Sequence, residues 1–124
     1  MTCNNCGPDN IQSNYSKLMQ QIIHLIEGKK LYLNSTIKTS DIAEKLGLHR
    51  NQVSACVNAQ LNMGFSKFIN RYRVDYAKEI MRKKPDMKIH IVGIESGFSN
   101  ETSFYRTFKA LTDMTPSEWK SKNR

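Results

Sequence analysis

Long apolar runs are missing from this chain. Nothing among its 124 residues approaches the ~18 consecutive apolar positions that a membrane span requires, and the mean hydropathy is −0.58. No basic segment followed by an apolar stretch opens the sequence, so no secretory signal is expected. Cysteine is scarce and odd in number, with three in all, which argues against a disulfide scaffold and for a reducing, cytoplasmic setting. Cys3 and Cys6 form a C-x-x-C, yet a structural zinc needs four ligands. The remaining candidates, Cys56, His24, His49 and His90, have no paired spacing. With Asn, Gly, Pro and Asp around it, the segment 1–10 reads as a disordered tail or linker. There is no Gly-rich phosphate loop, no metal-ligand spacing and no nucleophile beside a plausible base. Neither catalysis nor a cofactor or metal is expected.

Acidic residues are also few, 11 against 19 Lys and Arg, which leaves a formal charge of +8. Such a balance favours a polyanionic partner. Membrane-surface binding would call for a basic amphipathic helix with no need of a core. This chain, 39% hydrophobic, has apolar material for modest cores, so nucleic acid is the better reading. Its length suits one domain, or two very small ones.

Against that background one pattern occurs twice. Ile42-Ala43 is followed by Gly47, and Val92-Gly93 by Gly97, fifty positions later. An apolar residue, a small residue and a turn glycine four positions on are what the corner of a helix-turn-helix requires. The small residue lets two helices cross closely, and the glycine adopts a backbone conformation that a Cβ obstructs. Each copy leads into a helix with its own i, i+4 stripe, Val53 and Val57 in the first, Phe104 and Phe108 in the second. Measured from the glycine, the second stripe starts one residue later, so the second turn is expected to be one residue longer. Two copies are too few for a solenoid.

Around these copies the apolar spacing predicts further helices. Tyr15, Leu18, Met19, Ile22, Ile23 and Ile26 mark a first amphipathic helix ending at Gly28. Thr39 or Ser40 offers an N-cap for Asp41 to Leu46. Phe65, Phe68, Ile69, Tyr72, Tyr76 and Ile80, widened by Val74, Ala77 and Met81, mark one long helix that stops at Arg82-Lys83-Lys84 before Pro85. The second unit runs from Lys88 through Ser96, turns at Gly97 and resumes after Ser99, taken as the cap. Thr115-Pro116-Ser117-Glu118 carries a hydroxyl cap, a proline at the first helical position and a glutamate three residues after the cap. Trp119 is expected in the core, and Cys56 behaves as a small buried hydrophobe.

Together these residues resemble the DNA-binding domain of AraC/XylS-type transcription regulators, over roughly Tyr15 to Lys120. The resemblance rests on Gly97-Phe98-Ser99, on Phe104-Tyr105-Arg106-Thr107-Phe108-Lys109 and on Met114-Thr115-Pro116-Ser117-Glu118-Trp119. Phe68-Ile69-Asn70-Arg71, Arg73 and Ala77 also match. It implies an all-α fold of about seven helices: two helix-turn-helix subdomains, 11–63 and 85–124, joined by a linker helix within 64–84. Its reader helices would enter successive major-groove segments on one face of DNA, ~34 Å apart. Arg73 would buttress the linker helix. Departures are Gly93 where the family usually has Ala, Asp113 where it usually has Gly, and His49 where it favours a Ser cap.

Helical phase selects the outward side chains. In the first reader these are His49, Arg50, Asn51, Ser54 and Ala55; in the second, Asn100, Glu101, Thr102, Tyr105 and Arg106. The resemblance places base contacts on the same positions. Asn51 suits adenine, Arg50 guanine or phosphate, Ala55 a thymine methyl, and Arg106 a guanine. Asn100 and Glu101 have a bland alternative in completing the helix start. Lys45, Lys67, Arg71 and Lys109 are candidate phosphate contacts. The expected function is sequence-specific double-stranded DNA binding at an asymmetric site, in transcription regulation. The partners would be DNA and RNA polymerase or other transcription machinery, with an N-terminal sensor or dimerisation domain beyond this chain. The alternatives are a helical protein-interaction module and a regulator with a DNA-repair methyl-acceptor cysteine, which needs more cysteines than Cys3 and Cys6 supply.

Overall fold

The computed structural model describes the backbone of residues 8–123 and the side chains of residues 14–123. Among them are seven α-helices: α1 (Pro8–Gly28), α2 (Thr39–Leu46), α3 (Arg50–Leu61), α4 (Phe65–Lys83), α5 (Ile89–Glu95), α6 (Glu101–Thr112) and α7 (Pro116–Lys122). A 3-10 turn at Leu31–Leu33 follows α1, and no strand occurs among these residues. The all-α expectation is met. One boundary differs: α1 takes in residues 8–10, which composition had assigned to the tail. Pro8 stands at its first position, where a missing N–H is harmless. Cys3 and Cys6 lie outside the described residues.

The described residues divide into two compact units, residues 8–31 with 38–65, and residues 32–37 with 66–123. This division differs from the sequence reading in two respects: the short segment 32–37 goes with the second half of the chain, and residues 66–83 of α4, expected as a linker between two subdomains, belong to the second unit.

In the first unit α3 packs on both α1 and α2. The α1 stripe delivers Met19, Ile22 and Ile26, α2 delivers Ile42 and Ala43, and α3 delivers Val53, Cys56 and Val57, all buried. Cys56 is fully enclosed, and its Sγ donates to the Tyr15 carbonyl at 3.2 Å. Burial pushes its thiol pKa up, because the thiolate would lose hydration there.

The second unit is built on aromatic rings. Val74, Ala77 and Met81 of α4 meet Val92, Phe98, Phe104, Phe108 and Trp119 in one buried cluster. Ring contacts run in series from Phe98 to Phe104 at 5.2 Å, on to Phe108 at 5.8 Å and to Trp119 at 6.1 Å. Gly93 belongs to this arrangement. A Cβ there would stand 2.6 Å from Phe104 Cδ2, so the glycine makes room for the ring.

Arg73 closes the unit. Its Nε donates to the Tyr32 carbonyl at 2.7 Å, Nη2 to the Asn34 carbonyl at 2.9 Å and Nη1 to Asn70 Oδ1 at 3.0 Å. Tyr32 stacks on Tyr72 at 5.3 Å and meets Tyr76 edge-on at 6.0 Å. One guanidinium therefore ties the segment 32–37 to α4. Its burial lowers its pKa, though three acceptors hold the cation in place.

Candidate nucleic-acid interface

The two copies of the turn pattern form the same hydrogen-bonded corner. After α2, the Gly47 N–H donates to Glu44 O and the Leu48 N–H to Ala43 O. After α5, the Gly97 N–H donates to Ile94 O and the Phe98 N–H to Gly93 O. Each is a Schellman closure, in which a residue of positive φ reverses the helix and satisfies its last carbonyls. Gly47 has φ +69 and Gly97 φ +99. The small residue of each repeat, Ala43 or Gly93, supplies the carbonyl that accepts from the residue after the glycine.

The turns then deliver capped helices. His49 is the N-cap of α3: its Nδ1 accepts from Asn51 N at 3.1 Å, while its own N–H donates to Gln52 Oε1 at 2.8 Å. A histidine thus closes the box that a serine usually forms. An imidazole accepting at Nδ1 carries its proton at Nε2 and can donate outward there. In the second copy the cap is Asn100, one residue beyond the expected Ser99, and its Oδ1 accepts from Ser103 N at 2.8 Å. The distance from glycine to cap is one residue longer than in the first copy, as the stripes required. The start of α2 also differs from expectation. Lys38 is its N-cap, and Asp41 Oδ2 accepts from the Lys38 N–H at 2.8 Å, leaving Thr39 and Ser40 inside the helix.

Burial sorts the reader faces. Val53, Val57, Phe104 and Phe108 are fully buried, as the stripes predicted. His49, Arg50, Asn51, Ser54 and Ala55 are exposed on α3 and its cap, and Asn100, Glu101, Thr102 and Arg106 on α6 and its cap. Tyr105 is half-buried, meets Phe104 edge-on at 6.0 Å and lies against the core, which gives it a packing role. Capping occupies Gln52 Oε1, Asn100 Oδ1 and His49 Nδ1. Asn51, Ser54, Thr102 and Arg106 keep their side-chain donors uncommitted. Asn58, exposed one further turn along the Asn51, Ser54, Ala55 face, was not singled out from sequence. Its i, i+7 relation to Asn51 is the signal that would have found it.

Lys45, Lys67, Arg71 and Lys109 are all exposed. Lys67 and Arg71 share one face of α4 at i, i+4 spacing. Lys109 lies near the Glu118 carboxylate and helps hold that acid's pKa down, after the larger effect of the Thr115 hydrogen bonds. Thr115 and Glu118 form the expected capping box of α7, with Pro116 at its first position. Asp113 ends α6 in the left-handed region, φ +63, where the family usually has glycine. No group of three or more His, Cys, Asp or Glu gathers into a metal site among the described residues, and no helix among them is long and apolar enough to cross a membrane.

Two glycine-closed corners, each releasing a capped helix with a polar outward face, define a double helix-turn-helix domain. Comparison with known proteins agrees. A family model described as a helix-turn-helix domain matches residues 42–122. The chain belongs to this family, in its AraC-type, DNA-binding form. It is 30% identical over 117 residues to an uncharacterized HTH-type transcriptional regulator of Staphylococcus aureus, covering 91% of this chain and 15% of that protein. The HTH-type regulator YtdP of Bacillus subtilis is 26% identical over 110 residues, covering 89% and 14%. The chain thus spans about one-seventh of the length of these curated relatives. Two solved structures share the fold. One is the C-terminal domain of the two-component response regulator yesN from Fusobacterium nucleatum, with TM-score 0.74 and 22% identity, covering 84% of this chain and 98% of that one. The other is an AraC-type transcriptional regulator from Chromobacterium violaceum, with TM-score 0.75 and 22% identity, covering 89% and 95%.

Proposed function

We propose that this domain binds double-stranded DNA sequence-specifically, with α3 and α6 as readers of adjacent major-groove segments of an asymmetric site, and that it is the DNA-binding portion of a longer transcription regulator. The observation that carries this reading is the repeated Schellman corner, followed each time by a capped helix whose buried stripe leaves hydrogen-bonding side chains outward. A basic balance of +8 supplies attraction to phosphates.

Within this reading Asn51 pairs with adenine and Arg106 with guanine, the amide and the guanidinium each offering a bidentate match to one base edge. Ser54, Ala55 and Asn58 extend the first contact face, and Thr102 flanks Arg106. Arg50 and the His49 Nε2–H reach phosphate at the start of α3. Asn100 and Glu101 mainly shape the start of α6, and Tyr105 contributes an edge. Lys45, Lys67, Arg71 and Lys109 neutralise backbone phosphates. The much greater length of the relatives supports a sensor or dimerisation domain elsewhere in the full protein, which acts on RNA polymerase through sites this domain selects.

The test is fluorescence-anisotropy binding to a duplex selected from a randomised pool, across a salt series. Affinity is expected to fall with a slope of about −0.9 per phosphate neutralised. Arg106→Ala should weaken binding by ~1–3 kcal/mol and relax preference at one base pair. A flat salt response without saturable binding refutes the reading and favours a protein-interaction module. An Arg106→Ala variant that loses affinity equally for all sequences reassigns Arg106 to phosphate.

A further inference from the structure

We propose that the cleft between the C-terminal end of α4 and α7 is a binding site for a small amphipathic carboxylate, a ligand with one anionic head and an apolar body. This site is separate from the reader faces and does not depend on the DNA-binding reading. The cleft has a volume of about 360 Å³ and is lined by Met81, Arg82, Pro85, Trp119, Lys120 and Asn123. That is within the range of small-molecule sites, roughly 300–1,000 Å³. Met81 and Trp119 are core residues that form an apolar floor with Pro85, and no lining residue is acidic.

The cationic side is already arranged. The Arg82 guanidinium lies over the Trp119 ring at 5.2 Å, and Lys78 Nζ approaches the same ring at 5.9 Å. Among the described residues Arg82 makes no hydrogen bond or ion pair, whereas the adjacent Lys83 is paired with Glu79 at 3.2 Å. Stacking on an aromatic face orients the planar fork while leaving its five donors open, the form that matches a carboxylate bidentately. Lys120 uses one ammonium donor on Met87 O, at 3.4 Å, and keeps two. The C-terminal ends of α4 and α7 add about half a unit of negative charge each. The two full positive charges of Arg82 and Lys120 outweigh that.

A carboxylate fits better than a DNA phosphate. The floor of Met81, Pro85 and Trp119 offers a phosphodiester nothing, but it would take an alkyl or aryl body out of water. Neither helix presents its N-terminus here, the end that commonly receives phosphates.

Trp119 is the only tryptophan, so its emission reports on the cleft directly. The experiment titrates the whole chain with 4-phenylbutyrate, with its neutral analogue 4-phenylbutan-1-ol, and with inorganic phosphate. Saturation-transfer NMR serves as a second readout, because removing Arg82 alters the emission itself. The expected result is saturable binding of the carboxylate at millimolar concentration or tighter. Binding should weaken about tenfold in Arg82→Gln and less in Lys120→Gln, with unchanged urea unfolding in both variants. Absence of saturation, equal binding of the alcohol, or an Arg82→Gln variant that binds as well as wild type would overturn the proposal. So would an Arg82→Gln variant whose DNA binding loses about one phosphate from its salt slope, since that outcome assigns the cleft to the DNA backbone.

Discussion

Replacing Gly97 by alanine tests the closure of the second unit at its tightest point. Gly97 has φ +99, and a Cβ added there would meet three neighbours: Tyr32 O, Leu33 Cα at 3.0 Å and Arg73 Nε at 3.1 Å. The left-handed backbone alone costs an L residue ~1–2 kcal/mol. The carbonyl in the way is the one that accepts from Arg73 Nε at 2.7 Å, so moving it aside weakens a hydrogen bond to a charged group worth ~1.5–3 kcal/mol. The sum, about 3–5 kcal/mol, is a large part of the 5–15 kcal/mol typical of a whole domain. Gly47 supplies the control, since it has φ +69 but nothing within 4 Å of its would-be Cβ. Gly47→Ala is expected to cost only the backbone term, ~1–2 kcal/mol. Urea unfolding followed by Trp119 fluorescence reads the second unit, and far-UV circular dichroism reads the Gly47 variant. With a slope of about 1–3 kcal/mol per molar urea, Gly97→Ala should lower the midpoint by about 1–5 M. A Gly97→Ala loss no larger than that of Gly47→Ala would refute the claim that the approach of the Tyr32 carbonyl fixes this glycine.

Three further outcomes are expected. Gly93→Ala should destabilise by ~1–3 kcal/mol through overpacking against the fully buried Phe104, and a double-mutant cycle with Phe104→Leu should show strong coupling between the two sites. Arg73→Lys should cost ~2–3 kcal/mol, because one ammonium cannot reach the Tyr32 carbonyl, the Asn34 carbonyl and Asn70 Oδ1 together; urea midpoints measure it, and a neutral outcome removes the clamp. In a variant with Cys3→Ser and Cys6→Ser, Cys56 should react slowly with a thiol reagent until the chain unfolds. Because its folded pKa is raised, the stabilising effect of the buried thiol is complete below the ordinary thiol pKa and is lost as pH rises through the folded value. Melting temperatures measured from neutral to alkaline pH check that sign.

What could be read in the sequence was what local chemistry determines. The turn glycines, the one-residue difference between the turns, the stripes of Val53, Val57, Phe104 and Phe108, and the Thr115 to Glu118 box all follow from contacts within a few residues. Caps were placed one or two residues off at Lys38 and Asn100, because hydroxyls at Thr39, Ser40 and Ser99 look equally able to cap. The Arg73 clamp was foreseen only as a buttress suggested by family likeness. Its acceptors at Tyr32 and Asn34 are backbone carbonyls, which every residue possesses, and no residue type marks them. The Arg82 and Trp119 cleft was equally hidden, since it depends on two helix ends meeting across more than thirty residues of chain. Outward reader residues were legible from phase, but their hydrogen-bond commitments were not. Only the folded caps show that Asn100 Oδ1 and Gln52 Oε1 are occupied.

The Arg73 clamp also bears on how the protein is made. Tyr32 leaves the ribosome forty-one residues before the arginine that will hold it, and α2 and α3 emerge in between. The second unit is therefore discontinuous along the chain and finishes late, taking back a strap synthesised early. Cutting the gene between the two repeats would not yield two independent halves. A piece starting at residue 66 would retain nearly all of α4 together with α5 to α7 but expose an arginine with two of its three acceptors gone, while the complementary piece would carry Tyr32 without the Tyr72 ring on which it stacks. A shortened protein meant to isolate the second reader should carry residues 32–37 with it, grafted ahead of α4.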